Sequence, residues 1–335
     1  RHRNGYDRKT MTVFIIRRLM QAALVIFVMS VIVFIGISVV SNPIDILINP
    51  DFTQEEYERA VRALGLDRPL YEQYFVFLGN ALQGNLGDSF VFGQPALELI
   101  AQRIPATMEL AFGSLFLSIV LGIPLGVYAG LRPDSRVSKT IMAGSIFGFS
   151  LPSFWVGIML IMIFAVELGW LPSTGRGETV ELLGIHVSFL TWDGLEHLFL
   201  PALNLALVNI SLVIRVARAG TREAALQDYV RFARAKGLSS SRIVLVHILK
   251  NIMIPIVTIL GLELGSLIAF SVVTETIFAW PGMGKLLIDS INVSDRPIVV
   301  AYLMLIVCIF VVINLIVDVL YSVLDPRVRL QDVKQ

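Results

Sequence analysis

The chain is predicted to be an all-α integral membrane protein with six transmembrane helices and both termini in the cytoplasm. Three observations predict it. Hydrophobic residues make up 56% of the 335 and charged residues only 16%, with mean hydropathy +0.76. Soluble domains carry roughly 45–50% apolar and about 25% charged residues. Six apolar stretches approach the roughly 20 residues a helix needs to cross a bilayer. Lysine and arginine are also distributed very unevenly among the connecting segments.

The six stretches are Leu19–Val40, Ala106–Leu131, Thr140–Val166, Leu198–Ile214, Ile252–Phe270 and Ile298–Tyr321. The first is longer than the apolar region of a cleaved signal peptide, and no small-residue cleavage site follows it; SNPIDI does. With the N-terminus inside, segments 1–18, 132–139, 215–250 and 322–335 are cytoplasmic and hold 20 of the 27 basic residues. The positive-inside rule therefore favours this orientation. Residues 1–10, ahead of Met11, read as a tag or polar extension. Residues 11–104 read as the first span plus an outer helical segment. Residues 105–322 read as a five-helix core with a basic loop at 215–250, and 323–335 as a cytoplasmic tail.

The first outer segment is helical in pattern. Tyr57, Val61 and Leu64, then Tyr71, Phe75, Leu78 and Leu82, recur at helical spacing. Asp51 or Thr53 is placed to cap the first helix and Gly65 to end it. The stretch TETIFAWPGMGKLLIDSI is too short and too interrupted to span, because Pro281, Gly282 and Gly284 break it. Such a broken apolar element is allowed at membrane depth only where protein or water covers its backbone.

Several kinds of chemistry are poorly supported. PGMGK at Pro281–Lys285 fails as a phosphate loop: Ala279 stands where the first glycine belongs, and Leu286 where Ser or Thr belongs. The four histidines are scattered without ligand spacing, no G-x-S-x-G elbow exists, and the lone Cys308 permits no intramolecular disulfide. Net charge is +1, so bulk charge does not indicate nucleic acid. Glu109, Glu263 and Asp318 fall inside predicted spans, where charge is expensive and faces protein or a wet cavity. Glu109 and Asp318 lie near span ends, where pairing or snorkelling explains them. Glu263 lies nearer mid-span within GLELG, whose Gly261 and Gly265 allow close helix approach. A path-lining Glu263 would attract a cationic amine.

The longest inner loop contains RFARAKGLSSSRIV. Residues Arg222 to Lys236 are rich in helix formers. Leu226, Tyr229 or Val230, and Ala233 recur on one face, Gly237 stands where a left-handed cap belongs, and Ser239 to Ser241 offer hydroxyls to start a second helix. A helix resting on lipid headgroups accounts for the arginines. The small residues Ala233 and Ala235 suit a helix buried in another protein's groove.

At these residues the chain resembles the membrane subunits of bacterial ABC importers, whose inner loops carry Glu-Ala-Ala, three residues, then Gly. Here Glu223-Ala224-Ala225 is present, but Tyr229 stands six residues after Glu223. The frame that reaches Gly237 begins Arg231-Phe232-Ala233, and the proline arrives at Pro255. DYVRFARAKGLSSSRIVLVHILKNIMIP is similar to loops of the peptide-importer branch. LGLDRPLYEQY, GNLGDSF, RIPATMEL, FSLPSFWVGIMLI, LGWLPSTG, HLFLPALNLAL, ETIFAWPGMGKLLIDSI and VINLIVDVLYSVLDPRVRL extend the resemblance from Phe14 to Leu330. Together they resemble the B-type permease of dipeptide, oligopeptide and nickel importers. Ser41-Asn42-Pro43 departs from that family's usual Pro-Gly-Asp-Pro turn.

The resemblance implies a type I ABC importer permease fold in the bacterial inner membrane. It implies a second homologous permease, two cytosolic ABC ATPases, a periplasmic substrate-binding protein and the lipid bilayer as partners, and no nucleic acid. It implies no cofactor on this chain, with ATP and magnesium on the ATPases, and no catalysis by the chain itself. Asp228, Tyr229, Arg231, Ala233, Arg234, Ala235, Lys236 and Gly237 would couple to an ATPase. Ser150, Pro152, Phe154, Glu263, Glu275, Phe278, Trp280, Pro281 and Gly282 would line the path or its outer gate. Peptides are the expected substrate, with nickel chelates, glutathione or another small polar solute as alternatives. A stand-alone secondary transporter and a membrane scaffold are the rivals from other classes.

Overall fold

The computed structural model describes residues 3–40, 53–63 and 67–324. Five of its helices are long and apolar enough to cross a membrane, and a sixth span is reached if one sharply bent pair counts as a single crossing. The expected all-α architecture with five to six apolar spans is the one observed. The described residues form two compact units, one of residues up to 104 with 285–312, the other of 105–284 with residues from 313 onward.

In the first unit, α1 (Arg3–Val40) carries the first apolar run. Helices α2 (Gln54–Ala63) and α3 (Leu70–Leu82) follow, as the periodicity predicted. Thr53 precedes α2, while Asp51 and Gly65 lie outside the described residues. Tyr71, Phe75 and Leu82 of α3 are exposed, and Tyr74 and Phe77 pack against α1. The Tyr74 ring lies 5.5 Å from Phe34, and its hydroxyl lies 2.8 Å from that of Ser30. A tyrosine with a partner for its hydroxyl takes the inward place, because an unpaired buried hydroxyl would be costly. Further along, buried Asp295 holds the turn before α4 (Ala96–Leu131), accepting from the Ser89 hydroxyl and, at 3.1 Å, from Phe90 N–H.

The second unit is built around α7 (Trp192–Ala225), the most enclosed of the apolar helices. Thr191 starts it, its Oγ1 accepting from Gly194 N–H at 2.9 Å. Helix α4 reaches α7 through three glycines one turn apart. A Cβ at Gly122 would lie 2.7 Å from Val213 Cγ1, at Gly126 2.6 Å from Ala217 Cβ, and at Gly130 2.6 Å from Thr221 Cβ. These are distances that real Cβ atoms do not adopt, so bare glycine permits the crossing.

The predicted third span is two helices. Helix α5 (Arg136–Ser150) and α6 (Ser153–Glu167) meet at a bend of 108°. Pro152 is the cause, since it excludes Leu151 from helical geometry; Leu151 is extended at φ −81°, ψ 138°. Both pack against α7. A three-residue hairpin follows, β1 (Val180–Leu182) antiparallel to β2 (Ile185–Val187).

After α7 come the short α8 (Asp228–Ala235) and α9 (Ser240–Ile277), the fifth span. Helix α9 packs along α7, and Gly261 allows close approach to Val317 of the last helix, a Cβ there meeting Val317 Cγ2 at 3.0 Å. Helix α10 (Met283–Asn292) and α11 (Arg296–Leu324) complete the order. The Asp318 side chain lies outside the described residues.

Candidate functional site: a buried plug and a short surface helix

Two breaks in the helical pattern concentrate the predicted site residues. The first follows α9. The helix ends in a Schellman motif: Trp280 N–H donates to Glu275 C=O at 2.8 Å, and Ala279 N–H to Thr276 C=O at 3.3 Å. The left-handed residue is Ala279, at φ 46°, a position that usually takes glycine. Tertiary contacts hold it there. Trp280 is fully buried among Ala106, Leu110, Leu198 and Ala202, and its Nε1–H donates to Ala106 C=O at 2.8 Å. The Phe278 carbonyl accepts from Gly175 N–H at 2.8 Å.

Beneath this turn lies Glu275, with no exposed surface. Its carboxylate accepts from Thr107 Oγ1 at 2.7 Å and Ser271 Oγ at 2.8 Å. Thr107 Oγ1 in turn accepts from Met283 N–H at 2.9 Å, so one hydroxyl joins the carboxylate to the first amide of α10. A Cβ at Gly282 would overlap the Glu275 carboxylate, and one at Gly284 would lie 2.7 Å from Val272 Cα. The glycines predicted as helix breakers are thus required for close approach. Asn204 of α7 donates to Thr274 Oγ1 at 2.9 Å and ties the same turn to the central helix.

A second buried carboxylate supports the plug. Glu109 of α4 pairs with Arg176 at 3.0 Å and accepts from Ser188 N–H at 2.7 Å and Ser188 Oγ at 2.8 Å. Pairing was the expectation for Glu109, and its partner proves to be a loop arginine. Arg176 also donates to His186 C=O at 2.6 Å, and its guanidinium lies 6.0 Å from the centre of the Trp280 ring. The carboxylate is therefore surrounded by donors, which a charge this buried requires.

The second break is α8. The predicted helix over Arg222 to Lys236 is two pieces: α7 continues to Ala225, and α8 begins at Asp228 after Gln227 turns extended at ψ 150°. Gly237 has φ 77° and completes a full Schellman motif, Leu238 N–H to Ala233 C=O at 3.2 Å and Gly237 N–H to Arg234 C=O at 2.9 Å. That cap was legible in the sequence. The serine caps are not formed: the Ser239 hydroxyl lies 3.4 Å from the Ser241 hydroxyl and meets no helix amide.

Val230 and Ala233 are buried with Ala217, Ala224, Ile243 and Ile252. Ala233 therefore packs within its own chain and is not offered to a groove in another protein, whereas Ala235 is exposed. Leu226 is also not on the inward face, being 69% exposed. The outward side of α8 presents Phe232, 62% exposed, with Tyr229, Asp228, Arg231, Arg234 and Lys236. Lys236 Nζ sits 4.6 Å over the Phe232 ring, and Tyr229 OH accepts from Asn251 at 2.7 Å.

The structure gathers Glu275, Phe278, Trp280 and Gly282 in one place, with Pro281 between them only partly covered. Ser150, Pro152 and Phe154 are exposed at the α5–α6 bend. Glu263 is half-buried on α9. Sequence reasoning missed Thr107, Ser271, Arg176 and the glycine row on α4. Only the last had a readable signal, the fourfold spacing in LGIPLGVYAG. Among the described residues, no three His, Cys, Asp or Glu side chains gather to hold a metal.

Comparison with known proteins agrees with this architecture. Residues 122–330 match the model of the binding-protein-dependent transport system inner membrane component, and 11–111 match the N-terminal model of the same membrane components. The di/tripeptide transport system permease protein DppB of Pseudomonas aeruginosa is 39% identical over 82% of this chain and 85% of its own length. The oligopeptide transport system permease protein AppB of Bacillus subtilis is 38% identical over 95% and 100%. The glutathione transport system permease protein GsiC of Escherichia coli is 37% identical over 94% and 98%. A solved inward-facing structure of the MetNI methionine ABC transporter shares the fold, with TM-score 0.51 and 18% identity over 68% of this chain and 96% of that one. The chain accordingly belongs to the family of binding-protein-dependent transport system inner membrane components.

Proposed function

We propose that this chain is one of two homologous permease subunits of an ATP-driven importer in a bacterial inner membrane, and that its substrates are di- or oligopeptides. A binding protein would deliver the peptide from outside, and two cytosolic ATPases would bind at α8. Hydrolysis, ATP and magnesium belong to those ATPases. The observation that carries the reading is α8 itself: a capped eight-residue helix in the most basic loop, with Val230 and Ala233 sunk into the core. Among the described residues its outer face of Phe232, Tyr229, Arg231, Arg234 and Lys236 is exposed, with contacts from Asn251 to Tyr229, from Lys236 to Phe232 and from Asp228 to Arg231. Rooting in the α7–α9 core would let a push on α8 move two spans as a body. A nucleotide shifts such an equilibrium only through its differential affinity for the two states.

The plug at Phe278–Gly282 is the proposed outer gate, a reading supported by the burial of Phe278 and Trp280. Peptide substrates are supported by the relatives, whose names specify di- and tripeptides, oligopeptides and glutathione, itself a tripeptide.

The test is purification of the tagged chain in mild detergent, with companions identified by mass. A second permease and ATPases should accompany it, and Phe232→Glu or Gly237→Val should lose the ATPases while the chain still inserts. A chain that purifies alone and still imports peptide would overturn the reading.

A further inference from the structure

Among the described residues of the second unit, the hairpin β1–β2 is exposed along both strands except at its root, where Val187, the register partner of Val180, is buried. Val180, Leu182 and Ile185 are exposed on one side, and Leu182 and Ile185 are register partners. Glu181 and His186, also register partners, are exposed on the other. The turn between them carries Leu183, 95% exposed and held at φ 53°. The ribbon is thus two-sided, aliphatic on one face and at its tip, polar on the other. A lone two-stranded hairpin is marginal in water, so its apolar face calls for cover.

The root of the hairpin lies close to the membrane boundary. Ser188, next to the end of β2, is bonded to Glu109, and the Trp280 indole is bonded to Ala106, the first residue of the second predicted span. The loop joins α6 and α7, both apolar helices of the spanning set. Three-residue strands at about 3.3 Å per residue carry the tip only about 10 Å from that root. Two tryptophans flank the loop. Trp170, 66% exposed, packs on Phe164 of α6 at 6.1 Å, and Trp192, 77% exposed, opens α7. Tryptophan is the residue enriched at bilayer–water boundaries. Residues 177–197 contain no lysine or arginine and include Glu178, Glu181, Asp193 and Glu196. Attraction to anionic headgroups therefore contributes nothing here, and burial of apolar surface must supply the binding.

We infer that the 180–187 hairpin is an interfacial anchor. It lies flat on the bilayer with Val180, Leu182, Leu183 and Ile185 in the headgroup–acyl boundary and Glu181 and His186 toward water, and it engages zwitterionic lipid. Apolar faces of this kind enter that boundary by about 5–10 Å. The Glu109–Arg176–Ser188 cluster holds its base. The inference requires that the chain span a membrane, not that it carry peptides.

The chain has a single cysteine, so Cys308→Ser gives a background for one label. Leu183→Cys and Glu181→Cys, each carrying an environment-sensitive fluorophore, are compared in full-length chain with its companions in phosphatidylcholine nanodiscs. Doxyl phosphatidylcholine is the lipid quencher, and neutral acrylamide is the aqueous one. The label at 183 should lose at least half its emission to the doxyl lipid, and the label at 181 should respond mainly to acrylamide. Acrylamide quenching at both positions would mean that the hairpin stands free in water. Protection of both from both quenchers would mean that a protein covers it. Either result overturns the proposal. Leu182→Cys repeats the test on the same face should the 183 label perturb the turn, and its lipid quenching must agree.

Discussion

Gly282 packs its bare α-carbon against the carboxylate of Glu275, seven residues earlier, with no room for a methyl group between them. This contact places the start of α10 over a buried charge whose other bonds run to Thr107 and Ser271. Gly282→Ala should therefore open the turn without preventing insertion. Overpacking of this kind costs about 1–3 kcal/mol. Hydrogen exchange at the amides of Trp280 and Met283, measured by mass spectrometry, should rise markedly. Unchanged protection would show that the turn is held by something other than this fit.

Thr107 serves as donor to Glu275 and acceptor for Met283 N–H. Thr107→Val leaves the buried Met283 N–H without its acceptor, at a cost of about 1–3 kcal/mol, and takes one donor from Glu275, which keeps Ser271. Thr107→Ser retains both bonds. Thermal melts in detergent should fall clearly for the valine variant and little for the serine variant. Equal losses would assign Thr107 a packing role only.

Glu109 and Arg176 should show strong coupling. Arg176→Ala leaves a carboxylate buried with only Ser188 to serve it, a loss on the order of 3–5 kcal/mol. Glu109→Ala combined with Arg176→Ala should cost much less than the sum of the single losses. Additive losses across the cycle would contradict the geometry.

Gly126 faces Ala217 across the α4–α7 crossing. Gly126→Val should reduce the amount of folded chain recovered from membranes, and Ala217→Gly in the same chain should restore part of it. Recovery equal to wild type for the single variant would place the two helices further apart than described.

Glu263 is half-buried on a spanning helix. The proposal that it lines the path and attracts the peptide amine makes a selective prediction. Glu263→Gln should slow import of free-amine dipeptides by about tenfold, the factor given by 1.4 kcal/mol, and leave N-acetylated ones unchanged. An equal effect on both classes, or none, would remove Glu263 from substrate recognition.

Much of the architecture was legible because it depends on local chemistry repeated along the chain. Run lengths marked the apolar helices, and Gly237 marked the end of α8, since only glycine enters the left-handed region freely. The membership of the chain in its family was likewise carried by the order of its motifs. Tertiary structure alone decided which face of each element turns inward. The spacing of Tyr71, Phe75, Leu78 and Leu82 predicted a helix but not its rotation: Tyr74 and Phe77 meet α1, where the Tyr74 hydroxyl finds Ser30. Ala233 suggested an external groove and instead fills the core beside Ile252. The turn at Ala279 had no local signal, because an alanine at φ 46° is held by the burial of Trp280 and by bonds from Gly175 and to Ala106. Glu275, Thr107 and Arg176 became a site for the same reason. Periodicity specifies an axis and a face, while the rotation of one helix against another follows from packing between residues on different elements.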